Sequence, residues 1–371
     1  MSGSDSAQQA NSDARAETSA GAPKKYAQET IEVKAAHRFD VARVEDYLAR
    51  HIPGFEGPLE IKQFEGGQSN PTYSLMTPAA RYVLRRKPPG KLVKSAHAVE
   101  REFRVIRALN ATNFPVPIAH VLCEDQDVIG TPFFVMSHVP GFAHWDVGMP
   151  DRTPHARTAV VNDFVDTLAT LHSMNVDALG LRDFGPPGNY FERQVRRWSG
   201  QYGETETTQL PEMHELIDWC RTSIPEQQFT TIVHGDYSFN NVLCHPSAPA
   251  VAAVLDWEMC TIGDPLADFT YFTQPWFGTP GERSFVGRDL DTLGIPTYDA
   301  VRARYCERTG RAGIEHEGFY RAFNALKGAA ILQGIIRRAQ EGTNAGEMAL
   351  QFTPEDVRAG AVRGLGFAAQ G

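Results

Sequence analysis

The chain has 371 residues, enough for one large or two modest domains with a sizeable core, and its 42% hydrophobic and 22% charged content is ordinary for a soluble globular protein. A formal net charge of −9 argues against nucleic acid as a partner, because phosphate backbones demand a basic face. Cys123, Cys220, Cys244, Cys260 and Cys306 are odd in number, scattered and without a C-x-x-C pair, so neither a disulfide framework nor a zinc site is indicated. No signal-peptide pattern and no apolar run long enough to span a membrane is present, and a cytoplasmic protein is expected.

Residues 1–30, rich in Ser, Ala, Gln, Asp and Glu, lack the apolar side chains needed to offset ordering entropy and read as a disordered tail. Val41, Val44, Tyr47 and Leu48 fall at helical spacing after Asp40, and Pro53-Gly54 ends the segment. Short strands follow: LEIKQF, TYSLM and RYVLRR, the first two joined through Glu65-Gly66-Gly67-Gln68-Ser69-Asn70. Glycine there allows backbone N–H groups to approach phosphate oxygens, so Gly66, Gly67, Ser69 and Asn70 are candidate nucleotide contacts; a plain hairpin turn has the same composition.

Ser95 is placed to cap a helix with Val99, Phe103 and Ile106 on its apolar stripe. Strands IAHVL and PFFVMSH complete a small sheet, and Val139-Pro140-Gly141 reads as a hinge. These elements form an expected N-lobe, residues 31–138, followed by a C-lobe, residues 139–371. Thr153-Pro154 opens a long helix with Val161, Phe164, Val165, Leu168 and Leu171 inward; His172 at its end reads as a packed histidine. Helices are expected near 190–202, 211–222, 298–307 and 319–338, and the Ala/Gly-rich end is expected to pack loosely.

The stretch TIVHGDYSFNNVL, followed by AAVLD, carries the chemistry. A kinase must supply Mg²⁺, oxygen groups to hold it and one residue to orient the attacking hydroxyl. Asp236 followed five residues later by Asn241, with Asp256 after the next apolar run, matches that need: Asp236 as base, Asn241 and Asp256 as metal holders. His234 would brace the loop. After Asp256, Gly263-Asp264-Pro265-Leu266-Ala267-Asp268 arrives too soon for an activation segment that binds a polypeptide, which shifts the acceptor toward a small molecule.

VLRRKPPGKL, AVEREFRVI, IVHGDYSFNNVL and LDWEMCTIGDPLADF together resemble the aminoglycoside phosphotransferase family of small-molecule kinases, in the branch similar to the kinase-like domain fused to acyl-CoA dehydrogenases. The resemblance implies an α+β, bilobal protein-kinase-like fold with a strand-rich N-lobe and a mostly helical C-lobe, with ATP and Mg²⁺ between them. Arg85 then matches the phosphate-gripping strand lysine, although the family's usual residue is Lys, and Glu102 would pair with it. Backbone at Ser137 to Val139 would meet the adenine edge, and Asp268 would anchor the catalytic loop. The resemblance also implies a hydroxy acid or hydroxyacyl-CoA as acceptor. An aminoglycoside or amino-alcohol kinase, and a silent nucleotide- or acyl-CoA-binding module, are the alternatives.

Overall fold

The computed structural model describes residues 25–26, 29–65, 70–88, 98–186, 188–342 and 351–370. Its first lobe is an antiparallel sheet in the order β2 (Thr30–Ile31), β3 (Glu60–Phe64), β4 (Thr72–Met76), β5 (Arg81–Arg86), β7 (Phe133–Ser137) and β6 (Ala119–Cys123). Side chains alternate across a strand, so each face of β5 has its own cover. Tyr82 and Leu84 pack with Val44 and Leu48 of the helix Val41–His51, whereas Val83 faces the helix Val99–Leu109 and the larger core. Asp40 caps the first of these helices by accepting the N–H groups of Ala42 and Arg43. The expected cap Ser95 lies outside the described residues.

The expected tail ends in pairing. β1 (Lys25–Tyr26) runs antiparallel to β8 (Ala143–His144), and β2 adds to the sheet edge at Thr30. Both contacts use main chain, which composition does not report.

The second lobe is mostly helical, and two ladders set the catalytic loop. β9 (Thr231–Val233) pairs with β12 (Thr261–Gly263), and β10 (Val242–Cys244) pairs with β11 (Val251–Val254). The loop between β9 and β10 is thereby pinned at both ends. Pro154–His172 passes beneath it; Thr153 accepts the Ala156 N–H at 3.3 Å, and Val161, Phe164, Val165, Leu168 and Leu171 are buried as their spacing predicts. Glu317–Gln340 is the central helix, packed on Tyr190–Thr205, Leu266–Phe272 and Pro354–Ala368.

That last helix corrects one expectation. The Ala/Gly-rich end is not loose: Val357, Gly360, Ala361 and Gly364 are buried between Glu317–Gln340 and Pro211–Thr222. A Cβ on Gly364 would lie 2.7 Å from a Leu216 methyl, so the small residues are what allows the close approach. No described helix is long and apolar enough to cross a membrane.

Candidate active site

The catalytic loop is held by a carboxylate beneath it. Asp268, 1% exposed at the start of Leu266–Phe272, accepts the N–H of His234 at 2.6 Å and of Gly235 at 2.8 Å, and faces Nε2 of His172 at 3.4 Å. Burial pushes the Asp268 carboxyl up, but these donors and the neighbouring histidines outweigh it and hold the group below the usual carboxylate range. His172 is a packed histidine, its Nδ1 2.7 Å from the Tyr305 hydroxyl.

Gly235 has φ +85° and a Cβ there would meet the Met259 carbonyl at 2.7 Å, so backbone and space both demand glycine before Asp236. His234 is fully buried against Trp257. Its Nδ1 accepts the Asp236 N–H at 3.2 Å and its Nε2 lies 2.9 Å from the Leu255 carbonyl, which assigns the neutral tautomer with the proton on Nε2. Asp236 is half-buried at the rim, and Asn241 Nδ2 donates to its backbone oxygen at 2.9 Å and to Oδ2 at 2.7 Å.

Across the cleft, Arg85 gathers three acids. Its Nε lies 2.8 Å from Glu102 Oε2, and its Nη2 reaches Asp256 Oδ1 at 2.7 Å and Glu258 Oε2 at 3.3 Å. Glu102 is 2% exposed; burial pushes its carboxyl up, the Arg85 charge opposes this, and Asp256 and Glu258 raise it further, to about 7. The same acids hold the Arg85 guanidinium firmly charged. Asp256 stands in the left-handed region at φ +65°, a cost that turns its carboxylate toward the cleft at the end of β11.

The expected loop residues Gly66, Gly67 and Ser69 lie outside the described residues. Asn70, at the loop's end, is buried and donates through Nδ2 to Glu258 Oε2 at 3.4 Å. At the expected adenine edge, the Ser137 N–H is bonded to the Ile118 carbonyl at 2.8 Å and the His138 N–H to the Arg81 carbonyl at 3.1 Å. These donors serve the sheet, because β7 pairs on both sides up to its last residue.

Beside the loop at Ser238 and Asn240 a cavity of about 600 Å³ opens, lined also by Tyr271, Trp145, Arg283 and Arg363 among others. Burial, and then the Asp236 carboxylate nearby, push the Tyr271 hydroxyl well above its ordinary range. Gln274, Gly278 and Arg363 also line a second chamber of about 320 Å³, whose walls include Ile331, Leu332, Ile335, Phe352 and Phe367. Tyr190 and Trp198, on the helix Tyr190–Thr205, are buried in the core.

Several residues of this site escaped the sequence reading. Glu258 carries a signal, an acid two residues past Asp256. Lys327 carries another, a lone cation in a helix stripe of Phe323, Leu326 and Ala330. Arg283 and Arg363 carry none, since exposed arginines are ordinary on any surface.

The donor set suits a hard divalent cation. Beside Asn241, the carboxylates of Asp256 and Glu258 share one guanidinium, that of Arg85, with the buried Glu102, so oxygen donors outnumber the cation that faces them. Among the described residues no His, Cys, Asp and Glu cluster forms a protein-only metal cage. Mg²⁺ bound through one or two protein oxygens with the remainder from phosphates and water needs none.

A loop carrying Asp236 and Asn241, with an acidic cluster opposite and a cavity alongside, is an arrangement of the kinase-like type. The chain belongs to the phosphotransferase enzyme family, whose model matches residues 60–304. It is therefore a small-molecule kinase acting on a hydroxyl group. It is 41% identical over 313 residues to acyl-CoA dehydrogenase family member 10 of Mus musculus, covering 82% of this chain and only 29% of that longer protein. A Ralstonia eutropha crystal structure, provisionally named an aminoglycoside phosphotransferase, matches with 42% identity and a TM-score of 0.82 over 90% of this chain and 99% of that one. A mutant of aminoglycoside phosphotransferase APH(4)-Ia in complex with ADP and hygromycin B shares the fold, with a TM-score of 0.54 and 16% identity over 88% of this chain and 98% of that one.

Proposed function

We propose that the chain transfers the γ-phosphate of ATP to the hydroxyl of a small hydroxy acid or hydroxyacyl-CoA seated beside Asp236. The acceptor oxygen forms its bond to the γ-phosphorus as the bond from that phosphorus to the β–γ bridging oxygen breaks; ADP leaves and the hydroxyl proton passes to the Asp236 carboxylate. Positioning carries most of the rate in such transfers, so no covalent enzyme intermediate is required. Asn241 and Asp256 would hold Mg²⁺, which when bound neutralises charge on the β- and γ-phosphates. Arg85, fixed by Glu102, would grip the nucleotide phosphates, with the loop at Gly66, Gly67, Ser69 and Asn70 over them. His234 and Asp268 support the loop beneath.

The observation that carries the acceptor class is the cavity wall. Arg283 and Arg363 line the cavity beside the catalytic-loop residues Ser238 and Asn240, with Glu282 as its acid, and Gln274, Gly278 and Arg363 are shared with a neighbouring chamber of mainly apolar walls. A polycationic aminosugar would require the opposite charge, whereas an anionic group with an aliphatic chain suits both parts. The 41% identity to a protein named for the acyl-CoA dehydrogenase family supports the same class.

The test is ADP release by purified protein with Mg²⁺ and ATP across hydroxy acids, hydroxyacyl-CoAs, aminoglycosides and amino alcohols. Turnover stimulated by the first two groups is expected, with Arg363→Ala raising acceptor KM about tenfold, the worth of one charge-assisted contact. Stimulation by aminoglycosides alone would overturn the acceptor class, and nucleotide binding without turnover for any acceptor would favour a silent module.

A further inference from the structure

Lys327 sits midway along Glu317–Gln340 among buried Phe323, Leu326, Ala329 and Ala330, and is itself 8% exposed. An ammonium at such a site is costly unless compensated, and compensation normally comes from a carboxylate in contact. Among the described residues none forms an ion pair with it. Its Nζ instead lies 2.5 Å from the carbonyl oxygen of Gly235, the residue before Asp236. The Tyr271 ring lies 4.6 Å away and the Trp198 ring 5.9 Å.

The surroundings show what this contact fixes. The peptide between Gly235 and Asp236 is gripped at both ends: its oxygen by Lys327 and its N–H by His234 Nδ1 at 3.2 Å. Asp268 holds the preceding N–H, of Gly235, at 2.8 Å. The chain direction entering Asp236 is therefore set before its carboxylate meets Asn241. The charges that face Lys327 come from each packed element: Asp236 from the loop, Asp268 from Leu266–Phe272 and Arg197 from Tyr190–Thr205. Burial, the strongest influence, pulls the ammonium below the ordinary lysine range, opposed by the two aspartates.

We infer that Lys327 is a positioning residue for Asp236: its ammonium holds the Gly235–Asp236 peptide and so fixes the direction from which the Asp236 carboxylate leaves the chain, with the Tyr271 ring beside the ammonium. This rests on the assignment of Asp236 as the base.

The test is a double-mutant cycle on the full chain, with kcat, both KM values and Tm measured for Lys327→Met, Lys327→Arg, Asp236→Asn and the Met/Asn double variant. Lys327→Met is expected to fold and to lose about 10²-fold in kcat, the scale of a sub-ångström to ångström misplacement, with both KM values within about threefold of wild type. Lys327→Arg, which keeps the cationic donors, is expected to recover most of that loss. On the Asp236→Asn background Lys327→Met is expected to cost nothing further, because its effect runs through the missing carboxylate. If Lys327→Met keeps wild-type kcat, or if its loss persists undiminished on the Asp236→Asn background, the inference is overturned. Should Lys327→Met fail to fold, Lys327→Arg decides: activity near wild type supports the role, and a folded but inactive enzyme overturns it. Full activity of Asp236→Asn would instead overturn the assignment of the base.

Discussion

Arg85 is the residue where charge and geometry separate. A lysine in its place would keep the positive charge, yet the guanidinium here presents Nε to Glu102 and Nη2 to Asp256 and Glu258, three contacts a single ammonium would have to share. Arg85→Lys is therefore expected to raise the ATP KM roughly tenfold, about 1.4 kcal/mol, with a smaller change in kcat. An unchanged ATP KM would show that the fork geometry contributes nothing to nucleotide binding. The same residue marks what the sequence could convey. Asp236 and Asn241 are five apart on one loop, so their convergence is local and legible. Arg85 meets Asp256 across a separation of 171 residues and Lys327 meets Gly235 across 92, distances over which only the folded chain brings groups together. The Arg85–Glu102 pairing follows from the family resemblance rather than from the residues' spacing, and Glu258, 173 residues from Arg85, reaches it only in the folded chain.

At the scale of elements, strands and helices with a clear period were legible, and those governed by close packing or main-chain pairing were not. RYVLRR alternates, and its two faces enter two different cores as the pattern requires. The final helix reads as low in hydrophobicity because its contact is made by Gly360, Ala361 and Gly364, whose value lies in what they omit. The turn into Leu266–Phe272 carries a pH dependence of its own. Asp264, 2% exposed, accepts the Leu266 N–H at 2.9 Å, but burial dominates and pushes its carboxyl up to about 6. A raised folded-state pKa favours folding below the unfolded value near 3.8, and this contribution is lost as pH rises through about 6. Asp264→Asn, which keeps an acceptor oxygen without the charge, is expected to match wild type below about pH 4 and to exceed it above pH 6, by roughly 3 kcal/mol at most. Thermal melts from pH 4 to 8 would show the two curves diverging upward; parallel curves would contradict the ionised, buried Asp264.

For the molecule as a whole, the lobes contribute different halves of one reaction. The sheet brings Arg85, braced by Glu102 of its helix, to the cleft from above, and the paired ladders of the second lobe hold Asp236, Asn241 and Asp256 from below. The cavity proposed for the acceptor belongs to the second lobe, walled by segments near residues 145, 240, 275 and 283 and by the closing helix. Family and fold could be read from motifs in their order, but the arginine-lined cavity could not, since its walls come from parts of the chain with no common pattern. The account as a whole turns on Asp236. The decisive measurement is Mg²⁺-dependent, acceptor-stimulated ADP release by wild type and Asp236→Asn under saturating ATP. The account predicts a loss in kcat of about 10²-fold or more for the variant, the usual worth of a positioned general base, with ATP still bound. Wild-type turnover by Asp236→Asn, with phosphorylated acceptor formed, would contradict it.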